Sequence, residues 1–167
     1  MILSGKALRL PQNDDINTDY IISGRYKFKI QDPLELAKHV MEDLDPKFFE
    51  KIQKGDFIVA GRNFGCGSSR EQAPMAIKYA GISAVIAKSF ARIFYRNAFN
   101  LGVPLIECDT DKISEGDKIE VDLEKGILKN ATKNIEIKIN PLPKTMQTLL
   151  ADGGLIEHFK KHGGFKL

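Results

Sequence analysis

Three apolar runs of strand length follow one another through the middle of the chain: "DFIVAG" (56–61), "ISAVIAKS" (82–89) and "VPLIECD" (103–109). Each reads as a short buried strand. The segments between them, one running to about Tyr79 and one over "FARIFYRNAFNLG" (90–102), read as helices. Strand, loop, helix, strand, helix, strand is the pattern of a parallel α/β architecture. The run "MILSGKALRL" (1–10) alternates loosely and supplies a first strand. After Asp109 the character changes. "DKISEGDKIEVDLEKGILKNATKNIEIKIN" offers short alternating strands, with turns at Gly116, Gly126 and Asn130. Two helix-like pieces, around Lys144–Ala151 and Leu155–His162, close the sequence. Upstream, "DPLELAKHVMEDL" (32–44) predicts a helix capped by Asp32, with Pro33 at its first position. Leu34, Leu36, Ala37, Val40, Met41 and Leu44 form its apolar stripe. "DPKFFEKIQKG" repeats the Asp-Pro start at Asp45 and Pro46. At 167 residues, without repeat, low-complexity tract or linker, residues 1–167 are expected to form a single domain.

Several function classes are excluded on composition. A net charge of +3, with no basic run carrying interleaved aromatics, argues against nucleic acid. No window approaches a membrane span, and "MILSGKALRLPQNDD" lacks the apolar core of a signal peptide. The two cysteines, Cys66 and Cys108, have no metal-type spacing, so no metal is expected in this chain and a cytoplasmic location is the default. The three histidines lie far from the glycine-rich loop in sequence. His39 and His158 are expected to be solvated surface residues.

That loop, "GRNFGCGSSREQ" (61–72), joins the first of the three strands to the helix after it. Gly61, Gly65 and Gly67 allow a tight backbone and close approach of a ligand. Ser68 with Glu71, and Ser69 with Gln72, are spaced as overlapping capping boxes. A helix N-terminus attracts anions, and Arg70 adds a planar cationic fork. The plain alternative is a glycine-rich loop that merely caps a helix. A phosphate-binding Walker loop is excluded because no Gly-Lys-Ser/Thr occurs, and a dinucleotide fingerprint fits poorly. A serine hydrolase fits no better, since "GCGSS" is not G-x-S-x-G. Pro74 falls one turn into the helix, so either its first turn is irregular or the regular helix begins nearer Pro74.

The run "NFGCGSSREQAPMAIKYAGISAVIAKSFARIFYRNAFNLGVPLIE", with "DDINTDYII" upstream, resembles the small subunits of 3-isopropylmalate dehydratases, which correspond to the mobile fourth domain of aconitases. The resemblance covers nearly the whole chain. It implies an α/β fold, a three-layer β/β/α swivelling domain. It implies an enzyme half that is active only with a large subunit, as a heterodimer or heterotetramer. The 4Fe-4S cluster would sit in that partner and not in this chain, with Cys66 a small loop residue. The reaction implied is reversible dehydration of a hydroxy-dicarboxylic acid. By the family's pattern Ser68 is the general base, Ser69 hydrogen-bonds substrate, Arg70 clamps a carboxylate and Asp19 has an orienting role. The plain alternative for Asp19 is a turn or cap aspartate.

Substrate choice is expected to depend on "GRYKFKIQDP" (24–33), where relatives read the variable part of the substrate. This loop departs from the relatives' patterns. Aligned from Tyr26, Phe28 takes the reading position and favours an isopropyl group. Aligned back from Asp32, Lys29 takes it and favours a third carboxylate. Lys27 and Lys29 otherwise read as ordinary solvated loop residues. Isopropylmalate is the expected substrate. Homoaconitate, citraconate and 2,3-dimethylmalate are the alternatives, and a stand-alone anion-binding swivel module is the rival from outside enzymology.

Overall fold

Seven strands form one sheet in the order β4-β3-β2-β1-β5-β6-β7 in the computed structural model, which describes every residue except Lys27. The strands are β1 (Ile2–Leu8), β2 (Phe57–Val59), β3 (Ala84–Ala87), β4 (Leu105–Glu107), β5 (Lys118–Asp122), β6 (Ile127–Asn130) and β7 (Ile135–Lys138). The three apolar runs are β2, β3 and β4, and they pair in parallel. The alternating segment after Asp109 supplies β5, β6 and β7, which pair antiparallel. β1 belongs to both halves. Residues 2–6 pair antiparallel with β5, and Ala7 and Leu8 pair parallel with β2.

The sheet therefore has a parallel and an antiparallel half, and the burial pattern shows how they stack. Side chains alternate across a strand. Ala7, Phe57, Val59, Ala84, Ile86 and Ile106 pack with Ile119, Val121, Leu123, Leu128 and Ile137 of the antiparallel half. The alternate positions Leu8, Ile58, Val85, Ala87 and Leu105 join a second cluster built with helical residues such as Ala73, Ile77, Phe94 and Ala98. Two cores, one between the sheet halves and one under helices, make three layers: β, β and α. Both faces of β2 and β3 are covered, which is why those strands are apolar throughout.

The helices are α1 (Thr18–Ile21), α2 (Pro33–Ala37), α3 (Phe48–Lys51), α4 (Gln72–Tyr79), α5 (Arg92–Asn100), α6 (Lys144–Ala151) and α7 (Leu155–His162). None is long and apolar enough to cross a membrane. The Asp32 cap is formed, its side chain accepting from the Leu34 N–H. The helix expected over 32–44 is nevertheless only five residues long. Met41 takes φ +56°, and its N–H donates to the Ile21 carbonyl at 2.8 Å, which turns the chain out of a helical path. Leu36, Ala37, Val40 and Met41 are buried all the same, whereas Leu34 is exposed. His158 also departs from expectation: it is fully buried, not solvated.

Candidate functional site

Two loops far apart in sequence are laced together beside the ends of β2 and β3. The N–H of Gly61 donates to Asn13, that of Asp15 to Arg62, that of Gly65 to Ile16 and that of Thr18 to Cys66, each to the carbonyl and at 2.7–2.9 Å. The acidic turn "DDINTD" is thus bound along the glycine-rich loop. A third segment joins through Phe64, whose N–H donates to the Ser89 carbonyl and whose carbonyl accepts from Ala91. Phe64 is fully buried, edge-on to Phe90 and Phe94. Gly65, at φ +82°, lies hard against Phe94, and a Cβ there would collide with the ring. The glycine is required at this point both by its backbone angle and by the approach of α5.

This lacing presents a cleft of about 310 Å³ lined by Ser68, Ser69, Arg70, Thr18, Arg92, Ile93 and Asn97, together with loop backbone. Ser68 and Ser69 are exposed. Asn97 Nδ2 donates to Ser69 Oγ at 3.3 Å. Thr18 is buried, and its Oγ1 donates to the Ser68 carbonyl at 2.8 Å. The Arg70 side chain is only 18% exposed, and its Nη1 stands 2.5 Å from Asp19 Oδ1 as an ion pair. That contact lacks hydrogen-bond geometry, and Nη1 is a buried donor without a hydrogen-bond partner among the described residues. The guanidinium is thus held against one carboxylate, and its fork suits a second anion entering the cleft.

The capping boxes expected at Ser68 and Ser69 are not formed. α4 begins at Gln72, after Glu71, and has no side-chain cap. Pro74 is the reason. As the third residue of the helix it sits where its missing N–H is not needed, so the regular helix begins beside it. The serines are left in the preceding loop. Among the described residues, the backbone N–H groups of Ser68, Ser69 and Arg70 make none of the loop's hydrogen bonds, which leaves them available to a ligand.

The sequence-predicted residues separate into two groups. Ser68, Ser69 and Arg70 share the cleft, and Asp19 joins them through its ion pair with Arg70. Phe28 and Lys29 are exposed and do not line the cleft, and Lys27 lies outside the described residues. Their loop still reaches the site at its start. Gly24 abuts the Arg70 guanidinium so closely that a Cβ would come within 3.1 Å of Nη1. Just after, Tyr26 stacks on His39 at 4.0 Å and its hydroxyl donates to Glu42, which also sits 2.7 Å from His39 Nδ1. Arg25 pairs with Asp43 at 3.0 Å. Thr18, Gly24, Arg92, Ile93 and Asn97 were not singled out from sequence. The first stands inside "NTD" and the last three inside "FARIFYRN", so the signal lay within the segments already noted.

Both cysteines are free and half-buried. Burial, and then Asp15, push Cys66 up, while burial and then Asp109 push Cys108 up to about 11. Among the described residues one group has metal-ligand spacing, Asp152, His158 and His162, with ligand atoms within 4.8 Å of one another. These atoms already satisfy each other. Asp152 Oδ2 lies 2.7 Å from His158 Nδ1 and 3.0 Å from His162 Nε2, and Lys161 pairs with Oδ1 at 2.8 Å. The Lys166 N–H donates to His158 Nε2, which puts the ring proton on Nδ1 facing Asp152. A metal on Nδ1 would need the opposite tautomer. None of the three residues lines the cleft.

The chain is similar to known proteins along its whole length. Residues 39–111, which include the glycine-rich loop and all of α5, match the model of the aconitase C-terminal domain. The chain is 57% identical to 3-isopropylmalate dehydratase small subunit 2 of Archaeoglobus fulgidus over 167 residues, all of both chains. It is 59% identical to the 3-isopropylmalate dehydratase small subunit of Caldicellulosiruptor saccharolyticus, over 96% of this chain and 92% of the relative. A crystal structure of 3-isopropylmalate dehydratase from Methanocaldococcus jannaschii superposes with a TM-score of 0.91 at 51% identity, covering 98% of this chain and 96% of that one. With relatives this close along the whole chain, it belongs to the family of 3-isopropylmalate dehydratase small subunits, in the aconitase superfamily.

Proposed function

We propose that this chain works as one swivelling unit that supplies the small-subunit side of a cytoplasmic hydro-lyase. The enzyme interconverts 2-isopropylmalate and 3-isopropylmalate in leucine biosynthesis by dehydration and rehydration. The relatives' name supports this substrate over homoaconitate, citraconate or 2,3-dimethylmalate. The observation that carries the reading is the half-buried Arg70 guanidinium, with an unsatisfied donor, beside two exposed serine hydroxyls in one cleft.

In this reading Arg70 grips a substrate carboxylate through its fork, and Asp19 holds the guanidinium in place until substrate arrives. Ser68 Oγ, as an alkoxide, takes the proton from the carbon beside a carboxylate. The C–H electrons become the double bond as the hydroxyl departs, and water then adds back in the other orientation. A serine hydroxyl is a very weak acid, so its anion depends on nearby donors. The free N–H groups of the loop and the Arg70 charge are suited to that role. Ser69, steadied by Asn97, is placed to hydrogen-bond substrate. Departure of the hydroxyl falls to the large subunit, where the 4Fe-4S cluster sits in this proposal.

The test is reconstitution. Purified chain should show no turnover alone and should gain it when titrated into iron-loaded large subunit, on isopropylmalate in preference to homoaconitate. Ser68→Ala in the same assay should lose ~10²–10⁴-fold in rate, with melting nearly unchanged. Activity of the isolated, iron-free chain, or near-normal turnover by Ser68→Ala, would refute the respective assignment.

A further inference from the structure

Thr18 touches Ser68 twice. Its Oγ1 donates to the Ser68 carbonyl at 2.8 Å and stands 3.4 Å from Ser68 Oγ. A hydroxyl has one proton and two lone pairs. With the Thr18 proton given to the carbonyl, the second contact requires Ser68 to be the donor. The resting arrangement therefore fits a neutral serine. Once Ser68 loses its proton that contact has no donor, unless the Thr18 hydroxyl turns about its Cβ–Oγ bond from the carbonyl to Oγ.

We infer that Thr18 is the positioning residue for the Ser68 hydroxyl, its proton resting on the Ser68 carbonyl and turning to Oγ when the serine is ionised. The inference rests on the reading of Ser68 as the base. Both acceptors belong to one residue and lie within reach of one rotor, so nothing else needs to move. The rest of Thr18 is fixed. It is 2% exposed, its N–H is tied to the Cys66 carbonyl at 2.9 Å, and the residue before it, Asn17, caps α1 through the Tyr20 N–H. A bond to an oxyanion is shorter and stronger than one to a neutral hydroxyl, so the 3.4 Å contact is slack in the resting state and tightens on ionisation. Help that appears only in the charged state lowers a barrier without tightening ground-state binding. The next residue, Asp19, pairs with Arg70, so one dipeptide, Thr18-Asp19, addresses both the base and the clamp.

The experiment compares Thr18→Val, which keeps the shape and removes the hydroxyl, with Thr18→Ser, which keeps the hydroxyl, in the reconstituted two-chain enzyme. Thr18→Val should lower kcat by ~10²–10³-fold, as for loss of an oxyanion donor, while KM stays within a few-fold. Thr18→Ser should restore most of that rate, although it loses the same buried methyl contact that a structural role would need. The double variant Thr18→Val/Ser68→Ala should be no slower than Ser68→Ala alone. Near-normal kcat in Thr18→Val, failure of Thr18→Ser to rescue, or a further loss in the double variant would overturn the inference. If Ser68→Ala is inactive while Thr18→Val is active, only the role of Thr18 falls. If Ser68→Ala itself turns over normally, both readings fall.

Discussion

Arg70 carries its charge into a place where solvent reaches little of it, with Asp19 close by and Nη1 lacking a hydrogen bond. Replacing it by lysine keeps the charge and loses the planar fork. Loss of one charge-assisted bond of about 1.5–3 kcal/mol corresponds to a fall of ~10–150-fold in kcat/KM. Because Asp19 keeps a cationic neighbour, melting should hardly change. Steady-state kinetics and a melting curve on Arg70→Lys check this together, and wild-type kinetics would remove Arg70 from the site. That Ser68, Ser69 and Arg70 share one cleft was legible in the sequence because small, polar and cationic residues stand side by side, and adjacency survives folding. Thr18 was not, because its meaning lies in a contact with a residue on another loop, 3.4 Å from its oxygen. His158 misled for a related reason. Its amphipathic helix showed a polar residue, but not the Asp152 and Lys166 partners that allow it to be buried.

Among the elements, the parallel strands were read well and the segment at 32–44 was not. β2, β3 and β4 are covered on both faces, so continuous apolar runs had one sensible reading. The stripe over 32–44 correctly marked most of the residues that go inside, yet periodicity says nothing about a backbone hydrogen bond to Ile21, and that bond helps turn the chain at Met41. The capping boxes failed because a local pattern competed with Pro74 for the helix start. The loop from β2 to α4 yields a sharper test. Gly65→Ala forces a Cβ into the Phe94 ring at positive φ, and should cost roughly 2–5 kcal/mol from overpacking plus backbone strain. Thermal or denaturant unfolding would measure it. A loss under ~0.5 kcal/mol would mean that α5 does not press on this loop.

At the scale of the molecule, the antiparallel half is followed by α6 and α7, which are fastened together through Asp152. The hydrogen bond from Lys161, then those from His158 and His162, hold its carboxyl well below the usual carboxylate range. A depressed folded-state value means that the stabilisation is complete above the unfolded carboxylate pKa of about 4 and is lost as pH falls below it. Asp152→Asn should therefore lower the melting temperature by several degrees near neutrality. The gap to wild type should narrow progressively below about pH 4. Melting curves across that range decide it, and a gap that does not depend on pH would refute the electrostatic account. The layered arrangement itself was expected only through family resemblance. Nothing in the alternating segment 118–138 says that its apolar face will close over the inner face of β2 and β3.

β1 is the one strand common to both halves of the sheet, with Ile2 opposite Asp122, Lys6 opposite Lys118 and Ala7 opposite Phe57. It leaves the ribosome ahead of all its partners, and most of the chain must follow before β5 exists to pair with it. The joint between the two halves is therefore a high-contact-order closure, formed against a large loop entropy. While synthesis continues, Ile2 to Lys6 are an unpaired edge that opens on two adjacent apolar residues, Ile2 and Leu3, the kind of edge that other nascent chains can capture. The strand that unites the finished molecule is thus also the one left longest without its mate.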